Sequence, residues 1–401
     1  MIANPHLVAL GVMCFMTMIA MLIEARSLLS QISVKRQHQP RAFQGQAVPV
    51  RVMVSCKGVL APELLLIEDY FPPASNGRFL KLVAYPLGSD RVVEMNYYGA
   101  CDHRRGLYTI GPLRLQACDS LGIFARETLV DEFMDLLVYP QAVDLNESEL
   151  LGEGTLAHVG LEMTRRAGHS EEFLGVREYR TGDPTRLVHW KLSARHNRLI
   201  VKEFQEEMTT LVSFFIDLGK LSLVGVGDQT SVEYSIKSCA SLAKHAVERG
   251  HSVQLFAIAE DVQHIPAGAG TAHLLALLDR LAILRAHGDS AFAIRAMDLA
   301  HTLPRGSTAI LLLGATTAEL DALSRVIATL MDRHVLPIIV LIDDRGFIKV
   351  YREQEESHVR ALPLEEIARS LTLMGARVHI IRRHKIMEQA LLQGLERESA
   401  A

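Results

Sequence analysis

A chain of 401 residues exceeds what one compact core organises, so about two or three domains are expected. Its 49% hydrophobic and 22% charged residues are those of folded protein, and a formal charge of -4 excludes any global attraction to nucleic acid or an acidic surface. The five cysteines, Cys14, Cys56, Cys101, Cys118 and Cys239, form no C-x-x-C pair; an odd count argues against a disulfide framework or structural zinc and suits a reducing compartment.

Taken in chain order, the first element is apolar. From Ile2 to Ile23 there is no Asp, Glu, Lys or Arg, and LVALGVMCFMTMIAMLI is close to the length that crosses a bilayer. A cleaved signal would want a basic start and a small-residue cleavage site, which MIANPH and Glu24-Ala25-Arg26 do not provide. Arg26, Lys35, Arg36 and Arg41 follow the stretch and nothing basic precedes it except the amino terminus, so the positive-inside rule places the rest of the chain in the cytoplasm. The expected address is the inner membrane of a bacterial-type cell, with the lipid bilayer as one partner.

Glu24 to Gln39 reads as polar with helical tendency, after which the pattern turns to period two. VPVRVMVSC, ELLLIEDYF, RFLKLVAY, RVVEMNYYG and GLYTIGPLRLQA are separated by Gly, Pro and Ser-Asn-Gly turns. Short β-rich runs at this spacing predict an antiparallel sandwich ending near Tyr139-Pro140. His103 stands alone in CDHRRG and reads as a turn residue.

A dense block follows, Glu171 to Glu207. It holds the single tryptophan, Trp190, and seven basic residues between Arg177 and Lys202 (Arg177, Arg180, Arg186, Lys191, Arg195, Arg198, Lys202) against Glu178 and Asp183. Three uses compete: a salt-bridged surface packed through Trp190, a protein-recognition surface in which Arg and Trp carry the energy, and phosphate or nucleic-acid binding. The acidic edges Glu171, Glu172, Glu203, Glu206 and Glu207 weaken the field needed for the last, and nucleic acid is not expected as a partner. Asp183 and His189 as an acid–base pair would need to meet in space, which their spacing does not establish. Trp190, flanked by Val188 and Leu192, is expected to be mostly buried.

From about Thr210, apolar runs alternate with amphipathic helices. LVSFFID, SVQLFAIAE, STAILLLG, LPIIVLID and ARVHII read as strands; SVEYSIKSCASLAKHAVERG, HLLALLDRLAILRA, AELDALSRVIATLMDR and LPLEEIARSLTLMG read as helices. The alternation predicts a largely parallel sheet covered on both faces. Neither a G-x-G-x-x-G turn nor a phosphate-cradling loop opens its first helix, which argues against dinucleotide binding.

The motif F-x-G-x-R-E-Y-x-x-G-D-x-x-R-x-x-x-W-K-x-x-A-R, from Phe173 to Arg195, resembles the signature of the domain of unknown function 58 family. Leu199-x-Val201-Lys202-Glu203 matches as well, and upstream FQGQAVPVRVMV and RRGLYTIGPLRLQACDSLGIF resemble the family's β-domain, with Asp119-Ser120-Leu121-Gly122 where Asp-Pro-Phe-Gly is usual. The resemblance makes Arg177, Glu178, Tyr179, Gly182, Asp183, Arg186, His189, Trp190, Lys191, Ala194 and Arg195 the candidate interaction residues. It implies α/β plus all-β architecture: a transmembrane helix (1–25), a β-sandwich (40–145), the signature block (165–207) and a Rossmannoid domain like von Willebrand factor type A (208–385). Such members commonly carry two hydrophobic spans, where this sequence shows one, and are linked with MoxR-type AAA+ ATPases. The implied role is a non-enzymatic, membrane-anchored scaffold or adaptor without a cofactor; the alternative is a hydrolase or a phosphate- or nucleic-acid-binding protein using the basic block. A metal site of von Willebrand type needs Asp-x-Ser-x-Ser; Asp217-x-Gly219-x-Leu221 lacks both hydroxyls, and Gly314-Ala315 stands where an acidic ligand is usual. Thr271 matches the threonine position, and no divalent metal is expected.

Overall fold

The computed structural model of the chain describes residues 5–56, 62, 64–74, 79–84, 92–143, 167–180, 185–205, 210–227, 229–345 and 363–382. It divides into two compact units, Met1–Ala142 with Leu278–Leu284, and Val143–Leu277 with Arg285–Ala401.

The first unit opens with helix α1 (Pro5–Leu28). It is long and apolar enough to cross a bilayer: the stretch His6–Gln31 reaches a mean hydropathy of 2.3 over a window with 0% of its residues buried. Apolar side chains all round and largely uncovered are compatible with a membrane anchor. The last turn differs, because Ala25 and Leu28 are buried.

Among the described residues ten strands follow: β1 (Ile32–His38), β2 (Arg41–Phe43), β3 (Ala47–Cys56), β4 (Leu65–Tyr70), β5 (Phe79–Ala84), β6 (Val92–Ala100), β7 (Gly106–Ile110), β8 (Leu113–Cys118), β9 (Ala125–Val130) and β10 (Met134–Tyr139). They form sheets ordered β1-β3-β6, β5-β4-β8-β9 and β2-β10-β7. All pairs are antiparallel except β2 with β10. In β3 the even positions Val48, Val50, Val52, Val54 and Cys56 are buried and meet Leu65, Ile67, Leu113, Leu115, Leu136 and Val138 in one core.

The helical tendency read over Glu24 to Gln39 gives way at Ile32. Val34 and Arg36 alternate inward there, and β1 pairs with β3 over its whole length. Arg36 is therefore not a solvent-facing flank charge. It is buried, and its guanidinium donates to both carboxylate oxygens of Asp69 at 2.5 and 2.9 Å and to the carbonyls of Ile110 (3.0 Å) and Glu132 (2.9 Å). Tyr97 adds its hydroxyl to Asp69 at 2.6 Å. Burial pushes the Asp69 carboxyl up, and the Arg36 charge and Tyr97 hydrogen bond pull against it. Arg26, Lys35 and Arg41 are exposed, Arg41 in an ion pair with Asp279 at 2.8 Å.

In the second unit, β11 (Ala167–Glu178) pairs antiparallel with β12 (Ile200–Gln205), and helix α2 (Trp190–His196) lies between them in sequence. The six-stranded sheet that follows is ordered β17-β16-β13-β18-β19-β20. Its strands are β13 (Leu211–Asp217), β16 (Ser252–Ile258), β17 (Val262–Gly268), β18 (Thr308–Gly314), β19 (Leu336–Ile342) and β20 (Arg377–Ile381); β14 (Gly225–Val226) and β15 (Gln229–Thr230) form a small separate ribbon. Neighbours in the large sheet are parallel except the β16–β17 hairpin at its edge. Helices α3 (Ser231–Glu248), α4 (Gly270–Ile283), α5 (Phe292–Ala300), α6 (Leu320–Asp332) and α7 (Leu364–Leu373) supply the connections. Phe215, Leu311, Leu313, Ile339 and Leu341 pack against Leu323, Val326, Ile327, Leu330, Ile367 and Leu371 of α6 and α7.

Every strand and helix read from the alternation is present. The reading omitted β17, whose residues are half exposed, and α5, whose nine residues give too short a period to register.

Candidate functional site

Among the described residues, two places in the second unit bring polar and charged side chains together. The first is the crevice at the carboxyl ends of the parallel strands. Strand order reverses between β13 and β18, the point at which open α/β sheets leave room for a ligand. A cavity of about 1180 Å³ lies there, lined by Asp217, Lys220, Leu221, Ser222, Ser290, Thr316, Thr317, Arg325 and Arg345 among others.

Asp217 ends β13 and is buried. Its Oδ1 accepts from the backbone N–H of Gly219 at 3.0 Å, and its Oδ2 accepts from the hydroxyl of Ser222 at 2.5 Å. The hydroxyl that the sequence reading found missing at Gly219 and Leu221 is thus supplied one residue further on. Gly219 has a packing reason: a Cβ there would meet the Ser290 hydroxyl at 2.6 Å.

Opposite, Gly314 stands where an acidic residue had been sought, and a Cβ on it would meet Asp344 Oδ2 at 2.5 Å. The carboxylate reaches this position from the end of β19 instead. Asp344 is fully buried and accepts from the Thr316 N–H at 3.1 Å through either oxygen and from the Thr316 hydroxyl at 2.5 Å. Burial pushes its carboxyl up, opposed by the Thr316 bonds and reinforced by the charge of Asp343. Thr271 does not line the cavity; it sits exposed at the start of α4, and Thr316 and Thr317 are the threonines at the crevice.

Both carboxylates are consumed by internal hydrogen bonds, and among the described residues no cluster of His, Cys, Asp and Glu could hold a metal ion. The Nε and Nη2 of Arg345 are shielded from solvent and have no hydrogen-bond partner among the described residues. Lys220 and Arg325 also line the space, together with the carboxylates of Asp289 and Glu319, so the crevice carries both signs of charge.

The second place is the basic block. Its anchors are small. Val188 and Val201 are buried and bridge each other, and the Ser193 hydroxyl accepts from Ile200 N–H at 2.9 Å while lying 3.0 Å from the His189 carbonyl. His189 caps α2, its Nδ1 accepting from Leu192 N–H at 3.3 Å, and Asn197 closes the helix in the left-handed conformation.

Trp190 is not the buried anchor that was expected: it is 66% exposed. The serine lets α2 approach β12 through hydrogen bonds to backbone, closer than an indole would allow, and Val188 takes the apolar contact. Lys191, Ala194 and Arg195 are exposed as well. Trp190 with Ala194, and Lys191 with Arg195, are i,i+4 neighbours, so these residues form one continuous surface.

Glu178 pairs with Arg198, Tyr179 is half-buried with its N–H on the Leu199 carbonyl at 2.9 Å, and the backbone of Arg177 pairs with Val201. Arg186 lies in a short turn at Thr185–Leu187, while Gly182 and Asp183 lie outside the described residues. His189 gives its Nδ1 to the capping bond, and the Asp183 half of the acid–base pair lies outside the described residues.

The family described as "Protein of unknown function DUF58" matches residues 175–346, from β11 to just past Arg345, and so takes in both places. A curated relative, the uncharacterized protein YeaD of Bacillus subtilis (strain 168), is 24% identical over 239 residues, covering 57% of this chain. The chain spans about half the length of that relative, 55%. Among solved structures, the CARDB domain of a Pyrococcus furiosus protein is 15% identical with a TM-score of 0.18, over 27% of this chain and 86% of that one. The PKD domain of an M14-like peptidase from a Thermoplasmatales archaeon is 11% identical with a TM-score of 0.18, over 26% and 91% respectively. Overlaps this small define no shared architecture.

Proposed function

We propose that this protein is a membrane-anchored, non-enzymatic adaptor that engages a cytoplasmic protein partner through the exposed face of α2, and that the partner is a MoxR-type AAA+ ATPase. The observation that carries the reading is the exposure of Trp190 beside Lys191, Ala194 and Arg195. A large aromatic ring left in water among cations has the composition of an interface centre, not of a solvated surface. The partner's identity comes from the resemblance of the block to the domain of unknown function 58 signature. The doubly wound sheet, with its crevice at the β13/β18 switch point, supports a domain of von Willebrand factor type A kind in which hydrogen bonds have replaced the metal. Helix α1 supports an inner-membrane anchor, and the exposed Arg26, Lys35 and Arg41 that follow it support a cytoplasmic position for the units.

Co-purification of the full chain in detergent with the MoxR-type ATPase of the same cell tests this. Loss of an interface tryptophan costs on the order of 2 kcal/mol, so Trp190→Ala should weaken capture about thirtyfold, and Lys191→Glu with Arg195→Glu should abolish it. Capture unchanged by all three substitutions would remove α2 from the interface, and absence of any complex would remove the partner.

A further inference from the structure

We infer that the turn between β8 and β9 is a second membrane contact, inserting Leu121 and Ile123 into the lipid interface beside the end of α1. The inference rests on the reading of α1 as a membrane span. At ~1.5 Å per residue, His6 to Ile23 rises about 26 Å, close to the ~30 Å hydrocarbon layer. Glu24, the first charged side chain after that stretch, therefore marks the boundary with the headgroups.

The turn is tied to this boundary. Ser120 donates its hydroxyl to Glu24 Oε1 at 2.5 Å, and Ala25 and Leu28 of the same helical turn are buried. The turn is also internally fixed. The nearly buried Asp119 accepts from Leu121 N–H at 3.2 Å and Phe124 N–H at 2.5 Å, its own N–H meets the Phe124 carbonyl at 3.1 Å, and Gly122 N–H meets the Asp119 carbonyl at 2.9 Å. A turn held this firmly still leaves Leu121 66% and Ile123 59% exposed. Two large apolar side chains beside the exit of an apolar helix, within a hydrogen bond of its first charge, are placed where acyl chains begin. Lipid is the occupant that this position specifies.

The test uses the full chain in vesicles of phosphatidylcholine and phosphatidylglycerol, with Trp190→Phe so that an introduced indole is the sole emitter. Leu121→Trp and Ile123→Trp should emit at shorter wavelength in vesicles than in aqueous solution, lose intensity with lipids brominated near the headgroup, and resist aqueous iodide. Leu10→Trp, in the middle of α1, reports the span itself and should be quenched by deeply brominated lipids. Quenching at Leu10→Trp with iodide-accessible, lipid-insensitive emission from both turn variants would overturn the turn contact alone. Shielding from iodide without lipid quenching would also overturn it, by pointing to a protein cover. No lipid quenching at Leu10→Trp would instead sink the membrane reading on which the inference rests.

Discussion

At the scale of residues, the basic block shows how bulk and burial part company. Trp190 is the side chain that sequence reasoning assigns to a core, since a large ring gains most from leaving water. Ser193, three residues on, carries no such signal, yet its hydroxyl satisfies the buried N–H of Ile200 and holds α2 against β12. The consequence is an inverted pair of stabilities. Ser193→Ala leaves a buried donor unpaired and should cost about 1–3 kcal/mol, whereas Trp190→Ala, at an exposed position, should cost less than about 1 kcal/mol. Urea denaturation of the detergent-solubilised chain, followed by circular dichroism, separates the two; a larger loss for Trp190→Ala would return the indole to the core. The candidate residues were legible as a group because an Arg- and Trp-rich motif is unusual in composition. Which of them face water was not, because that depends on a hydroxyl–backbone contact between α2 and β12.

At the scale of elements, the parallel strands were legible because β13, β18 and β19 are apolar at nearly every position, as strands covered on both faces must be. Their ends were harder to read. A comparison position by position finds hydroxyls missing after Asp217 and an acid missing at Gly314, but the strand ends meet in space and exchange roles. Ser222 reaches Asp217 from the next turn, and Asp344 crosses from β19 to the place Gly314 leaves open. Gly314→Ala tests this exchange. Its methyl group would displace Asp344 from Thr316, and overpacking together with a lost buried hydrogen bond should cost about 2–4 kcal/mol in thermal denaturation of the full chain. A variant as stable as the parent would show that the Asp344–Thr316 contact does not hold the crevice. The same geometry predicts that titration with Mg²⁺ or Mn²⁺ gives no saturable heat in the micromolar to low millimolar range. A coordinating ion would have to break the bonds from Ser222 and Thr316 before binding. A single-site isotherm lost on Asp217→Ala would refute that.

At the scale of the whole molecule, the apolar segment is legible end to end from its lack of charge, but the sequence does not reveal which of its residues the first unit covers. The structure divides it within one helix. Residues through Ile23 are largely uncovered, while Ala25 and Leu28 are buried in the first unit and Ser120 grips Glu24. Two truncations should therefore behave differently. A chain beginning at Glu24 loses the apolar stretch and keeps the docked turn. It should leave the membrane fraction, because Leu121 and Ile123 alone offer less apolar area than a single acyl chain, which itself anchors only marginally, and it should melt within a few degrees of the parent because Ala25 and Leu28 are kept. A chain beginning at Ile32 also loses Leu28 and Ala25. Uncovering a buried leucine forfeits about 1.5–3 kcal/mol before the alanine and the Glu24–Ser120 bond are counted, so the β-strand unit should unfold at distinctly lower temperature. Fractionation on alkaline carbonate washing reads the first effect and differential scanning calorimetry the second. If the chain beginning at Glu24 stays with membranes after that wash, α1 is not what holds the protein there. Equal melting temperatures for the two truncations would mean that the last turn of α1 contributes nothing to the first unit, and the buried positions of Ala25 and Leu28 would have no energetic role.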